Sequence, residues 1–255
     1  MLRLILAAAC LLAAPAAYAQ LPGPLEQALS AAPGDAVSAE RIALRMTVNG
    51  EAILVEILPG GENRETAYTL LQPASEDALS EAQAEMWAGF NRDDEEDAPD
   101  SDPGESYSVG QFDAEGLREA IGASATLLRE ENGRLVYGFT PQSLPGQGGE
   151  DEERSGLLDN LAGEIEVDAE RGQIAQVRFA LTESFKPNMA ARINDFLLEQ
   201  RFVHEPAIDG PRFAGMTMSM AGSAVFQSFS QTMEIDLVSV RYAGAGPLEA
   251  GAESP

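Results

Sequence analysis

One cysteine, one histidine, one tryptophan and one lysine serve 255 residues, and each scarcity closes off a class of chemistry. Cys10 lies inside a segment that reads as a cleaved leader, so the exported chain would carry no disulfide, thiolate nucleophile or cysteine metal ligand. His204 is the sole histidine, so a Ser-His-Asp arrangement would have to be built on it. Its surroundings, "FVHEPA", do not make H-E-x-x-H, because the second position needed is Ile208. Lys186, the only lysine, sits in "SFK" and lacks the S-x-x-K spacing that puts both groups on one helix face. The G-x-S-x-G elbow, the phosphate-binding P-loop and the G-x-G-x-x-G turn are all missing.

Basic charge is scarce too. The chain has 16 Lys+Arg against 42 Asp+Glu, a net of −26, and loss of Arg3 with the leader takes it to −27. Nucleic acid and anionic lipid surfaces need a basic face, so both are excluded as electrostatic partners. The acidity fits colloidal solubility, a salty habitat, or attraction to a cationic protein partner. So many carboxylates single out no glycosidase-like pair. Asp100, Asp102 and Gly104 echo an EF-hand loop, but positions 6 and 12 are Glu105 and Gln111, so the calcium pattern fails. No catalytic residue, metal site or cofactor is expected.

The long hydrophobic run is the last absence. The N-terminal "MLRLILAAACLLAAPAAYAQ" has one cation, an apolar run over 4–14 and Ala17-Tyr18-Ala19, the three parts of a secretory signal peptide. The run is shorter than the ~20 residues of a spanning helix, and nothing later approaches ~18 consecutive apolar residues. Cleavage after Ala19 is expected, and a periplasmic or secreted product with no transmembrane segment. Acylation at Cys10 is the competing reading, disfavoured by the six apolar residues before it.

What is present is mostly strand pattern. Residues 20–40 form a short helix or lead. The runs 42–48 and 52–58 flank Asn49-Gly50, a hairpin signal, and 64–71 adds a third strand. Over 75–90 the period changes: Leu79, Ala82, Met86 and Phe90 share a helix face, with Ser75 as N-cap and Trp87 beside the stripe. A helix at 113–121 and strands at 123–129 and 134–139, joined through Asn132-Gly133, come next. Acidic, breaker-rich loops near 91–106 and 143–156 bury too little to order themselves. From residue 161 the pattern is nearly all strand, except that 189–205 fits a helix stripe or a strand equally. In 226–242, Met233, Ile235 and Leu237 hold one phase and Val238, Val240 and Tyr242 the other, which predicts a β-bulge. Residues 244–255 form a small, acidic tail.

The segments "RLVYGFTP" (134–141), "LAGEIEVDAERGQIAQVRFAL" (161–181) and "TMEIDLVSVRY", in this element order, resemble the periplasmic lipoprotein-carrier (LolA-type) superfamily. The resemblance implies an open half-barrel of antiparallel strands with helices over its mouth, holding acyl chains or related apolar ligands; no residue's role carries over. The expected fold is therefore α+β. One domain, 41–243, would be a mostly antiparallel, strongly curved sheet covered on its concave side by a few helices, since many-stranded sheets coil or close. Its ligand would be a lipid, acyl chain or lipoprotein. Met216, Met218 and Met220 alternate along one predicted strand with Thr217 and Ser219 between them. With Trp87 and Met86 they are the candidate cavity lining, methionine being flexible and polarizable. The same stripe also reads as plain core, and the volume above it decides between the two.

Overall fold

A computed structural model of the chain describes residues 21–31, 39–60, 66–90, 114–144, 156–188, 190–225 and 227–242. The leader, the loop at 91–106, most of the loop at 143–156 and the tail lie outside the described residues. Helix α1 (Gly23–Ser30) precedes strands β1 (Ala39–Val48), β2 (Glu51–Leu58) and β3 (Ala67–Gln72). A 3-10 turn (Glu76–Ala78), α2 (Glu81–Phe90) and α3 (Ala114–Ile121) follow. The chain then runs through β4 (Thr126–Glu131), β5 (Arg134–Phe139), β6 (Leu161–Asp168), β7 (Gln173–Leu181) and β8 (Phe185–Asn188). It ends in the long strands β9 (Ala191–Glu205), β10 (Gly210–Ala224) and β11 (Gln227–Tyr242).

Two predicted hairpins form as their turn residues require. Asn49 and Gly50 have φ of 49° and 89°, and Asn132 and Gly133 of 51° and 74°, positive at both central positions as a type I′ turn needs. The segment that fitted helix and strand equally is a strand, β9. The predicted helix over 75–90 is split. Ser75 makes no side-chain cap on the 3-10 turn, and α2 starts after Ser80. There the Ser80 N–H donates to Gln83 Oε1 at 2.9 Å and the Gln83 N–H donates to Ser80 Oγ at 3.2 Å. That reciprocal pair is a capping box, S-x-x-Q, and it satisfies donors that the helix itself cannot.

All described strands join one sheet in the order β3-β2-β1-β11-β10-β9-β7-β6-β5-β4, with β8 off this path and paired to β9. Every pairing is antiparallel. Edge strands β3 and β4 do not pair, so the sheet is not closed into a barrel. β1 lies against β11, which brings the first and last strands side by side in the interior of the sheet.

Residues directly opposite in a ladder share a face. One row across eight strands reads Tyr137, Ile165, Val177, Gln200, Met216, Ile235, Met46, Ile53, with a single polar member. The next row over on the other face holds Arg178, Glu199, Thr217, Glu234 and Thr47. Bulges keep the apolar face in phase where the sequence alternation slips. Ser239 faces Ala43 while Leu237 faces Leu44, which leaves Val238 as the extra residue at the predicted phase change in β11.

The face carries two buried clusters. In the first, Ile165, Val177 and Phe179 of the sheet join Leu25, Ala28 and Leu29 of α1 and Leu117, Ala120 and Ile121 of α3. Phe139 and Phe179 meet edge-on at 5.7 Å, and Gly163 makes room, since a Cβ there would enter the Phe139 ring. In the second, Ile42, Leu44, Ile53, Val55 and Ile57 of β1 and β2 join Trp87 of α2. Trp87 is 8 % exposed. Its Nε1 donates to Glu76 Oε1 at 2.9 Å, which ties the helix to the 3-10 turn before it. Gln83 Nε2 donates to the Ala52 carbonyl at 2.9 Å and holds α2 on β2.

Candidate functional site

The five candidate residues fall into two groups. Met216, Met218 and Met220 are part-buried and pack against the first cluster. Met86 packs part-buried against the second, to which Trp87 belongs. Both groups border the apolar face, but no cluster contains all five.

Between them the ladders add two methionines that sequence reasoning did not select. Met218 faces Met233 of β11, and Met216 faces Ile235, which in turn faces Met46 of β1. Met46, Met216, Met218, Met220 and Met233 thus occupy three adjacent strands on one face, all of them part-buried. Met233 was visible in the β11 alternation. Met46 was not, because only the β1–β11 register brings it alongside. Thr217 and Ser219 lie on the opposite face, in line with Glu199 and Glu234 on one row and Leu197 and Thr232 on the next.

The chemistry of this strip is apolar and deformable. Fully buried positions at its two ends are Ile, Val, Leu, Phe and Tyr, the β-branched ones among them stiff at χ1. The strip itself is methionine, whose unbranched thioether adapts to irregular shapes. Past Met220, Gly222 faces Phe229, and a side chain at 222 would collide with that ring and with the Arg192 carbonyl. Phe229 is 36 % exposed, so the apolar strip continues to the surface near the β10–β11 turn.

No protein-family model, curated protein or solved structure matches the chain.

Polar chemistry gathers elsewhere. His204 is exposed, and its Nδ1 lies 3.1 Å from Gln173 Oε1, an amide rather than a carboxylate partner. Both line a cleft of about 200 Å³ together with Arg134, Asp168 and Arg171. Asp168 Oδ1 accepts from the N–H groups of Glu170 and Arg171, each at 3.1 Å, and its Oδ2 accepts from Arg171 Nη1 at 3.2 Å. Burial opposes the charge on Asp168. The backbone N–H and guanidinium of Arg171, with the nearby charge of Arg134, outweigh it and hold the carboxyl below the usual aspartate range. Among the described residues no group of three or more His, Cys, Asp or Glu is placed to hold a metal ion. No helix among them is long and apolar enough to cross a membrane.

Proposed function

We propose that this chain is an exported, non-enzymatic binding protein whose sheet curves as an open half-barrel and takes a lipid or acyl chain on its concave, methionine-lined face. The observation that carries this reading is the strip of five part-buried methionines on β1, β10 and β11, set between two clusters that helical side chains complete. A filled core would be expected to continue the tight aliphatic packing of its ends across its middle. A change to methionine where burial falls suits a surface that meets varied apolar shapes, as ligand pockets and promiscuous grooves do. The leader-like N-terminus supports export, and the pattern of strands supports kinship with lipoprotein carriers.

Native mass spectrometry after gentle purification tests the proposal. A carrier should retain co-purifying lipid or take up a fluorescent fatty acid saturably. A clean apo mass with no uptake would make the methionines plain core and shift the reading to a protein that acts through its acidic surface.

A further inference from the structure

The β7–β9 ladder runs from Ala180 opposite Leu197 to Gln176 opposite Arg201 and stops there. The stop has a local cause. Against β6, Glu166 faces Gln176 and Val167 faces Ile174, so Ala175 is an extra residue and β7 bends at it. Past the bulge, 173–175 and 202–204 become two walls of the cleft of about 200 Å³, and Arg134, Asp168 and Arg171 complete it.

The local charge reverses that of the whole chain. The chain has 16 basic residues against 42 acidic ones, yet two arginines and one carboxylate line this cleft among the described residues. That carboxylate is engaged, since both Asp168 oxygens already accept hydrogen bonds from the turn that carries Arg171. Arg134 faces Asp168 in the β5–β6 ladder and lends it charge, but its Nη1 is buried and has no hydrogen-bond partner among the described residues. Buried donors in folded proteins are nearly always paired, and a guanidinium donor is matched best by an oxyanion. The volume is below the ~300 Å³ at which drug-sized sites begin, so the cleft suits an ionic group of a few atoms rather than a whole large ligand.

We propose that this cleft binds a phosphate-type oxyanion, with Arg134 supplying the buried donor and Arg171 a second guanidinium at the mouth. The oxyanion can be a free ion or the head of an apolar ligand. Phe202 belongs both to the cleft lining and to the first core cluster. Two residues back along β9, Gln200 faces Met216, a step of about 7 Å. Arg134 and Asp168 face each other three residues from Tyr137 and Ile165, on the side of the sheet away from the methionines, so an acyl chain on a bound phosphate would reach the strip only around the end of the ladder at Phe202. Binding of the free ion does not depend on the apolar-ligand reading.

Titration of the full chain with inorganic phosphate, followed by calorimetry and by amide shifts at 173–175 and 202–204, tests the site. Saturable one-to-one binding is expected, and Arg134→Gln should weaken it about 10-fold, the value of one charge-assisted hydrogen bond. Arg134→Lys, which keeps the charge and loses the fork, should fall between. Absence of saturable binding to the wild-type chain, or equal binding by a folded Arg134→Gln variant, overturns the proposal. If Arg134→Gln does not fold, Arg171→Gln decides: its side chain is 52 % exposed, so the fold should tolerate it, and unchanged affinity overturns the site. A short-chain phosphatidate separates the two sources. Tighter binding than phosphate, with the excess lost in Met218→Lys, identifies a headgroup, and equal binding identifies a free ion.

Discussion

At one end of the apolar face Ile165, Val177 and Phe179 are fully buried, whereas on β10, two strands from β7, Met216 and Met218 stay part-buried on the same rows, and so does Met220 beyond them. Strand geometry does not distinguish them, because their ladders and phase are continuous. What differs is the company each keeps. Leu25, Leu29, Leu117 and Ile121 from α1 and α3 are packed among the end residues with at most 3 % exposure. The residue types follow suit, stiff and branched at the ends and flexible in the middle. A single sheet face thus carries a fully buried part and a part-buried one, and the second is where the proposed ligand would lie.

The sharpest way to break this comparison is to cut into the ends. Phe179→Ala removes a fully buried ring that Phe139 meets edge-on, and should cost about 3–5 kcal/mol of stability by denaturant unfolding. Ile53→Ala in the second cluster, 1 % exposed, should cost less, about 2–3 kcal/mol, because that cluster is smaller and can relax into the space. Met218→Ala should cost under about 1.5 kcal/mol, below the range for a buried methionine, while clearly weakening fatty-acid uptake. A loss as large as that at Phe179 would place the methionines in the core proper.

The smallest effect concerns the cleft. The folded-state pKa of Asp168 is lowered, so its contribution to stability is complete above the ordinary aspartate pKa and is lost as pH falls through the lower folded value. Its side chain keeps 19 % of its surface and Arg171 is half exposed, so screening limits the gain. Asp168→Asn should lower stability at pH 7 by under about 1 kcal/mol, with the gap to wild type closing in acid. A gap that widened in acid would contradict that sign.

Much of the sheet was readable in the sequence, for reasons local to it. Asn-Gly pairs mark their hairpins because only such residues accept the turn's positive φ, and the phase change at Val238 is printed in the alternation of β11. β9 was ambiguous for a physical reason. Asp195 faces Ala221 and Ile193 faces Gly222, so Asn194 is an extra residue, and Ile193 and Phe196 share a face three positions apart, the spacing of a helix. The stripe Leu79-Ala82-Met86-Phe90 hid the break before α2, although "SEAQ" at 80–83 carried the capping signal. The methionine strip was half legible: its β10 members alternate in plain view, but Met46 joins through pairing of the first and last strands. The cleft was not legible. Its residues come from four strand ends and a turn, and the bulge at Ala175 that opens it leaves no mark distinct from a polar loop.

The central claim, that the middle of the face is open to an apolar ligand, is tested most directly by methionine-methyl NMR during titration with a fatty acid. Resonances of Met46, Met216, Met218, Met220 and Met233, assigned by single Met→Leu substitutions, should shift together and saturably, with Met86 moving least. Five unmoved methyls at saturating fatty acid, or movement at Met86 alone, would contradict it.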